Sequence, residues 1–445
     1  MLAFFREAKE VPRLEDPDEV ARRYDKLRRE ALLGSMVAYG FFYFIRKNLS
    51  IALPYLTTDL HINDADLGDL NGNLYLAYAL SKFASGLVAD RGSPRVFMVT
   101  GLILAAAANV AFGLNSSLAV FGVVWTVNGV VQSLGAPASA KIVATWFGKS
   151  ERGTKTAIWN ISHQAGGGIA LLLATAFAYF FGWRWAFLGP AGVVLLGTLV
   201  VARFLHDRPE THGLPPVEHH RNEDTAIEDE ARSESFLSVL FYRLLLNPRC
   251  WIIALASGCT YIARVGAIDW STKYLCEARG LNIGRAGIYS SLLEFFGIPG
   301  AFLCGWLSDR YLKSRRAPVV FVSLLLLAAS LYAFIRVPEH PYLEVLLLAA
   351  CGFFTYGPQL LLAGVAPVDM SSKRVAAAAI GFTGFVSYLA AWASSKHTGR
   401  LIQMGKLIDV RHGYTDAYDF WALAAVVGAL LCIPLWNQSG ARKGS

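Results

Sequence analysis

The chain encodes an all-α, polytopic membrane protein of twelve transmembrane helices in two pseudo-symmetric six-helix bundles, and three observations predict it. Across 445 residues, 54% are hydrophobic and only 17% charged, with mean hydropathy +0.41, more apolar than a soluble chain of this length. Twelve apolar runs, each long enough to cross hydrocarbon as helix, fall near 31–53, 70–89, 96–114, 118–147, 154–181, 184–205, 249–275, 286–308, 317–336, 342–368, 375–403 and 418–436. Landmarks also recur: Arg46 and Arg264 stand 264 − 46 = 218 residues apart, and Asp90 and Asp309 stand 309 − 90 = 219 apart. Two independent features thus report one internal repeat.

Taken in order, residues 1–30 form a basic segment with eight lysines and arginines, whereas 54–69 has none. Positive charge is retained on the cytoplasmic side, so both termini are expected there, in a cell (inner) membrane. No signal-peptide pattern precedes the first run. Residues 31–206 make the first bundle, 207–247 a polar cytoplasmic linker, 248–437 the second bundle and 438–445 a tail. The fourth, fifth, tenth and eleventh runs are long enough to tilt or to continue past the bilayer.

The net charge of +8 is mostly a topology signal and needs no nucleic acid to explain it. The six cysteines lie scattered in apolar runs without metal-ligand spacing, so neither metal nor cofactor is expected. The absence of a GxxxxGK[ST] sequence argues against a primary pump.

Arginine within a bilayer is costly and normally faces a bundle interior or a water-filled cavity. Its planar fork matches phosphate oxygens in a bidentate way, so Arg46 and Arg264 suggest a site for a doubly charged anion. Tyr39, Tyr43 and Arg46 follow i, i+4, i+7 spacing on the first span; Tyr75, Tyr78 and Lys82 share a face of the second. Arg46 has a competing reading, snorkelling toward the interface about 12 Å before Pro54. Lys47 and Lys82 add charge, and Asp269 and Glu294 oppose it. Four cations minus two carboxylates leave a surplus of two, which complements a phosphate dianion. Asp269 lies about 140° around the helix from Arg264, which suggests Lys47 on a neighbouring helix as its partner. A purely structural role for these ion pairs is the alternative.

The element Gly86-Leu-Val-Ala-Asp90-Arg91, repeated as Gly305-Trp-Leu-Ser-Asp309-Arg310, resembles the cytoplasmic loop motif of the major facilitator superfamily. Within it, Tyr43-Phe-Ile-Arg46-Lys47-Asn48, Trp159-Asn160-Ile-Ser-His163-Gln-Ala-Gly166-Gly167-Gly168, Tyr261-Ile-Ala-Arg264 and Ile268-Asp269-Trp270 look like the organophosphate:phosphate antiporter family. The resemblance runs through nearly the whole chain. It implies that Arg46 and Arg264 clamp the phosphoryl group, with His163 as a phosphate contact or proton-sensitive partner. A satisfied interhelical hydrogen bond is the other reading of His163. Trp159, Tyr261, Gln359, Tyr388 and Lys396 join Tyr39, Tyr43, Tyr78 and Lys82 as expected pore-lining residues, and Asp269 and Glu294 as gating ion-pair residues.

The family can carry an acid one turn before the lysine matching Lys396, where this chain has Trp392. Lys396 therefore favours a further carboxylate on the substrate, pairs elsewhere, or snorkels. Asn128 to Ser139 and Tyr356-Gly-Pro-Gln359 resemble hexose-phosphate carriers, while Ser81-Lys82-Phe and the glycine triplet also suit the glycerol-phosphate branch. The triplet reads as packing and hinge. The expected activity is alternating-access exchange of an organic phosphate for inorganic phosphate by a functional monomer in the lipid bilayer, with no enzymatic step. A sugar-phosphate sensor and a proton-coupled exporter of lipophilic cations are the competing classes.

Overall fold

In a computed structural model the described residues are 8–89, 92–220, 246–369 and 376–438. They form an all-helical, twelve-span membrane protein. Eight helices or helix pairs are long and apolar enough to cross a bilayer by length and composition alone. The other four spans are the first, second, sixth and eleventh. The first is broken at 45–48, and the sixth, Trp185–Val201, has 17 residues. Leu196, Leu199 and Phe302 are exposed on the outer surface, where hydrocarbon takes the place of water.

The first span is α1 (Pro17–Phe44) and α2 (Leu49–Leu60), separated by a non-helical break at 45–48. Asp16 caps α1, its side chain accepting from Asp18 N, and Pro17 occupies the first turn. The expected boundary at residue 30 therefore falls inside a continuous helix. The second and third spans are α3 (Asp64–Ala89) and α4 (Pro94–Gly113); the fourth is α5 (Leu118–Gln132) and α6 (Gly135–Trp146). The fifth, α7 (Lys149–Phe181), and the sixth, α8 (Trp185–Val201), complete the first half.

The second half comprises α9 (Pro248–Glu277), α10 (Ile283–Phe295) with α11 (Gly297–Arg310), α12 (Arg316–Arg336), α13 (Pro341–Leu360), α14 (Ala376–Gly405) and α15 (Val410–Leu431). A π-helical turn at Leu361–Val365 extends the tenth span. Of the runs expected to tilt or to continue past the bilayer, the fourth is two helices, whereas the fifth and eleventh are unbroken at 33 and 30 residues.

The linker expected at 207–247 is in part not a free linker. Val11 N donates to Glu210 O and Leu14 N to Gly213 O. Asp207 accepts from Ser93 Oγ at 2.7 Å and Arg95 N at 3.1 Å. His206 Nε2 lies 3.0 Å from Glu30, and its carbonyl accepts from Trp146 Nε1. Burial pushes His206 below its usual pKa, against the opposing pull of Glu30. Residues 206–217 thus staple to the first half, with Leu205, Leu214 and Val217 in its core. The rest of the linker from 221 to 245, the tail from 439, and the motif residues Asp90 and Arg91 lie outside the described residues. In the second copy of that motif Asp309 pairs with Arg316 and accepts from Ser314 Oγ. Arg310 ends its helix.

The halves meet where α3 packs along α14 and α7 along α10. Close approach requires glycine there: a Cβ on Gly68 would sit 2.5 Å from Ser395 O and 3.0 Å from Gly399 Cα. The triplet on α7 works the same way. A Cβ on Gly166 would strike Gly40 Cα at 2.9 Å, one on Gly167 the Glu294 carboxyl at 2.6 Å, and one on Gly168 the Phe295 ring at 2.7 Å.

Candidate functional site

The break in the first span frees carbonyls in the middle of an apolar bundle, where each needs a partner. Buried amides supply them. Ile45 O accepts from Asn109 Nδ2 at 2.9 Å, Asn128 Nδ2 at 3.0 Å and Gln132 Nε2 at 3.4 Å, while Phe42 O accepts from Gln132 Nε2 at 3.1 Å. Asn48 Nδ2 in turn donates to Asn109 Oδ1 and Ala186 O. Gln132 then offers its oxygen to Arg46, whose Nε and Nη2 donate at 3.0 and 2.8 Å. Arg46 is 7% exposed, so it turns inward and does not snorkel.

Arg264 lies on the unbroken α9 and is equally buried. Its Nε and Nη2 donate to Tyr356 Oη at 3.2 and 3.1 Å, and that hydroxyl donates to Glu294. Glu294, expected as a gating ion-pair residue, thus touches Arg264 through a phenol. Its second oxygen, Oε1, has no partner among the described residues.

An aromatic chain joins the two guanidiniums across the halves. Arg46 Cζ lies 4.9 Å from the Tyr78 ring centre, Tyr78 lies 4.5 Å from Tyr388, and Tyr388 lies 5.3 Å from Tyr261. Arg264 Cζ completes it, 5.6 Å from Tyr261. Tyr43 also lies against Arg46, with the arginine Cζ 5.0 Å from its ring centre, so the two arginines line one common space. Lys82 Nζ stands over Tyr78 at 5.9 Å and Tyr388 at 5.7 Å, with no carboxylate partner among the described residues.

Trp159 and His163 form one wall, 4.8 and 4.7 Å from Tyr39 between ring centres. His163 Nδ1 is 3.0 Å from Asn160 O. A carbonyl only accepts, so Nδ1 carries the proton and Nε2 is left for another partner. Trp159 Nε1 and Gln359 Oε1 are buried without partners among the described residues. The π-helical turn two residues after Gln359 is a local irregularity of a kind common at functional sites.

Lys47 Nζ sits 3.1 Å from Asp269 Oδ1, the pairing that helix geometry suggested, and Tyr75 Oη donates to Asp269 Oδ2 at 2.6 Å. With that pair neutral and Glu294 set against Arg264, the charges of Arg46 and Lys82 are left over. Lys396 is not brought into this space. Its Nζ lies 3.4 Å from Asp69, which Arg400 also approaches at 3.9 Å. The acid absent at position 392 is thus supplied by a different helix.

Reading the sequence did not assign roles to Gln132, Asn109, Tyr356 or Asp69. Amides inside apolar runs were a visible signal for the first two; Asp69 gave none, because only the α3–α14 packing brings it to Lys396.

The fold and this charged, aromatic-lined space between two helical halves define a secondary carrier, not an enzyme. The Major Facilitator Superfamily matches residues 35–395. Over 446 residues the chain is 33% identical to a glycerol-3-phosphate transporter of Bacillus subtilis, covering 98% of each. It is 35% identical to a probable hexose phosphate transport protein of Chlamydia pneumoniae, covering 98% of this chain and 97% of that one. It is also 33% identical to the membrane sensor protein UhpC of Salmonella typhimurium, covering 100% and 99%. A bacterial homolog of the lysosomal transporter Spinster, solved inward-facing and occupied, shares the fold at TM-score 0.73 and 17% identity, over 92% of this chain and 96% of that one. The chain belongs to the Major Facilitator Superfamily and, within it, to the organophosphate:phosphate antiporter family.

Proposed function

We propose that the protein exchanges an organic phosphate, a hexose 6-phosphate such as glucose-6-phosphate, for inorganic phosphate by alternating access, as a monomer with cytoplasmic termini in the cell (inner) membrane. The observation that carries this reading is the pair of buried arginines, one from each half, around a single tyrosine-lined space with two surplus positive charges. Unpaired charge in a low-dielectric site is costly, so the empty site resists closing. A phosphate dianion removes that cost and draws the halves together. Only the loaded carrier then reorients, which makes the cycle an exchange. His163 supplements the phosphate site, whereas Lys47, expected as a phosphate contact, is held by Asp269. The unpartnered Trp159 Nε1 and Gln359 Oε1 donate to and accept from hydroxyls of the organic moiety.

The substrate follows from the motif balance and from the pairing of Lys396 with Asp69. A neutralised lysine has no claim on a substrate carboxylate, which favours a sugar phosphate over a phosphoglycerate; glycerol-3-phosphate is the runner-up. The full-length relationship to a membrane sensor gives the second reading, a sugar-phosphate sensor using the same site.

The test uses proteoliposomes loaded with inorganic phosphate. Labelled glucose-6-phosphate added outside is expected to accumulate only when phosphate is inside, and faster than glycerol-3-phosphate. Preferred uptake of glycerol-3-phosphate would move the substrate to the runner-up. Saturable binding without uptake would select the sensor.

A further inference from the structure

At the end of the bundle opposite the termini, the halves are joined by a buried charge cluster that the exchange site does not use. Asp64, the first residue of α3, is 5% exposed. Lys273 Nζ lies 2.5 Å from Asp64 Oδ1 and 2.6 Å from Glu277 Oε1. Lys406 Nζ lies 2.8 Å from Asp64 Oδ2 and 2.5 Å from Glu277 Oε2, and Tyr414 Oη also donates to Glu277 at 2.7 Å. Lys273 is fully buried. One turn further along α3, Asp69 meets Lys396 and Arg400 of α14.

The charges are divided unevenly between the halves. The first half contributes two carboxylates, Asp64 and Asp69; the second contributes Lys273, Lys406, Lys396 and Arg400 against Glu277, a balance of 4 − 1 = +3. While this end is closed, carboxylates of α3 fill the spaces between the cations. When the halves part here, Asp64 and Asp69 leave with α3, and a wall of net charge +3 faces the opening. Lys273 and Lys406 then share Glu277 alone. A buried ammonium that loses a partner regains its stabilisation from another anion.

We infer that this cluster is both the outer gate of the carrier and a transient capture site for the phosphate group of the incoming substrate, with Asp64 and Asp69 holding the places that the anion takes. The inference rests on the proposed function, which makes this end the external one. Such a wall concentrates anions at the mouth of the site and speeds their arrival in a salt-sensitive way. The anion then passes inward to Arg46 and Arg264 as the gate cations recover their carboxylates.

The test measures uptake of labelled inorganic phosphate into phosphate-loaded proteoliposomes at low and high ionic strength. In the Lys406→Gln, Arg400→Gln double variant the external KM is expected to rise about fivefold and its salt dependence to flatten. Asp64→Asn is expected to act in the opposite direction, lowering external KM by loosening the closed gate. Wild-type KM and salt dependence in both variants, or a raised KM in Asp64→Asn, would overturn the inference while the exchange function stands. Absence of phosphate exchange in the wild type would overturn the function and this inference together.

Discussion

Arg46 and Arg264 hold matching places in the two halves, yet their surroundings differ. Arg46 sits in a helix break stitched by four amides and rests on the neutral oxygen of Gln132. Arg264 sits on an intact helix and rests on a phenol backed by the Glu294 carboxylate. The first half therefore presents an undiminished cation on a fixed backbone, and the second a cation moderated by an acid. On the proposed function, phosphate between them is expected to be held more firmly by the first half, with the Tyr356–Glu294 pair easing its release.

The largest effect expected on that comparison comes from removing either fork. Arg46→Lys and Arg264→Lys should each cut phosphate exchange by about 100-fold, on the order of 3 kcal/mol, because an ammonium cannot reproduce two parallel donors. Near-normal exchange kinetics in both variants would refute the two-arginine clamp.

Next comes the support. Gln132→Leu should weaken phosphate binding about tenfold, since it strips Arg46 of its acceptor and Phe42 O of its donor. Tyr356→Phe should cost less affinity but lower thermal stability, as it leaves the buried Glu294 without its donor. Isothermal titration with phosphate and thermal unfolding, run on both variants, separate the two; equal affinity losses would erase the asymmetry.

Glu294→Gln should sharpen it. With the carboxylate neutral, Arg264 faces the ligand unmoderated, so phosphate affinity should rise about threefold while maximal exchange falls. Unchanged turnover with tighter binding would remove Glu294 from release.

The smallest effect lies away from the site. His206 has its pKa lowered by burial, so the unfolded chain takes up the proton first as pH falls. The stability it contributes is present above its ordinary value of about 6.5 and is lost as pH drops toward the folded pKa. The unfolding temperature should therefore decline between pH 7.5 and 5.5, and less so in His206→Asn. An identical decline in that variant would assign the loss to other groups.

Some of the site was legible because chemistry forces it onto the sequence. An arginine in an apolar run must face inward, and helical angles put Asp269 away from Arg264 and toward a lysine such as Lys47, where the structure places it. Tyr39, Tyr43 and Tyr78 follow from periodicity alone. Helix continuity was less legible. The 218-residue repeat suggested equivalent spans, but the break at 45–48 depends on Asn109, Asn128 and Gln132 arriving from two other helices to satisfy its carbonyls.

Sequence by itself determined the membrane class, the twelve spans, the internal repeat and the buried arginines, because hydrocarbon length and the cost of buried charge act locally along the chain. Tertiary structure alone decided that Lys396 answers Asp69, that Glu294 reaches Arg264 through Tyr356, and that Asp64 locks against Lys273 and Lys406. Each of these joins residues far apart in the chain, and no local rule sets the packing of one helix on another.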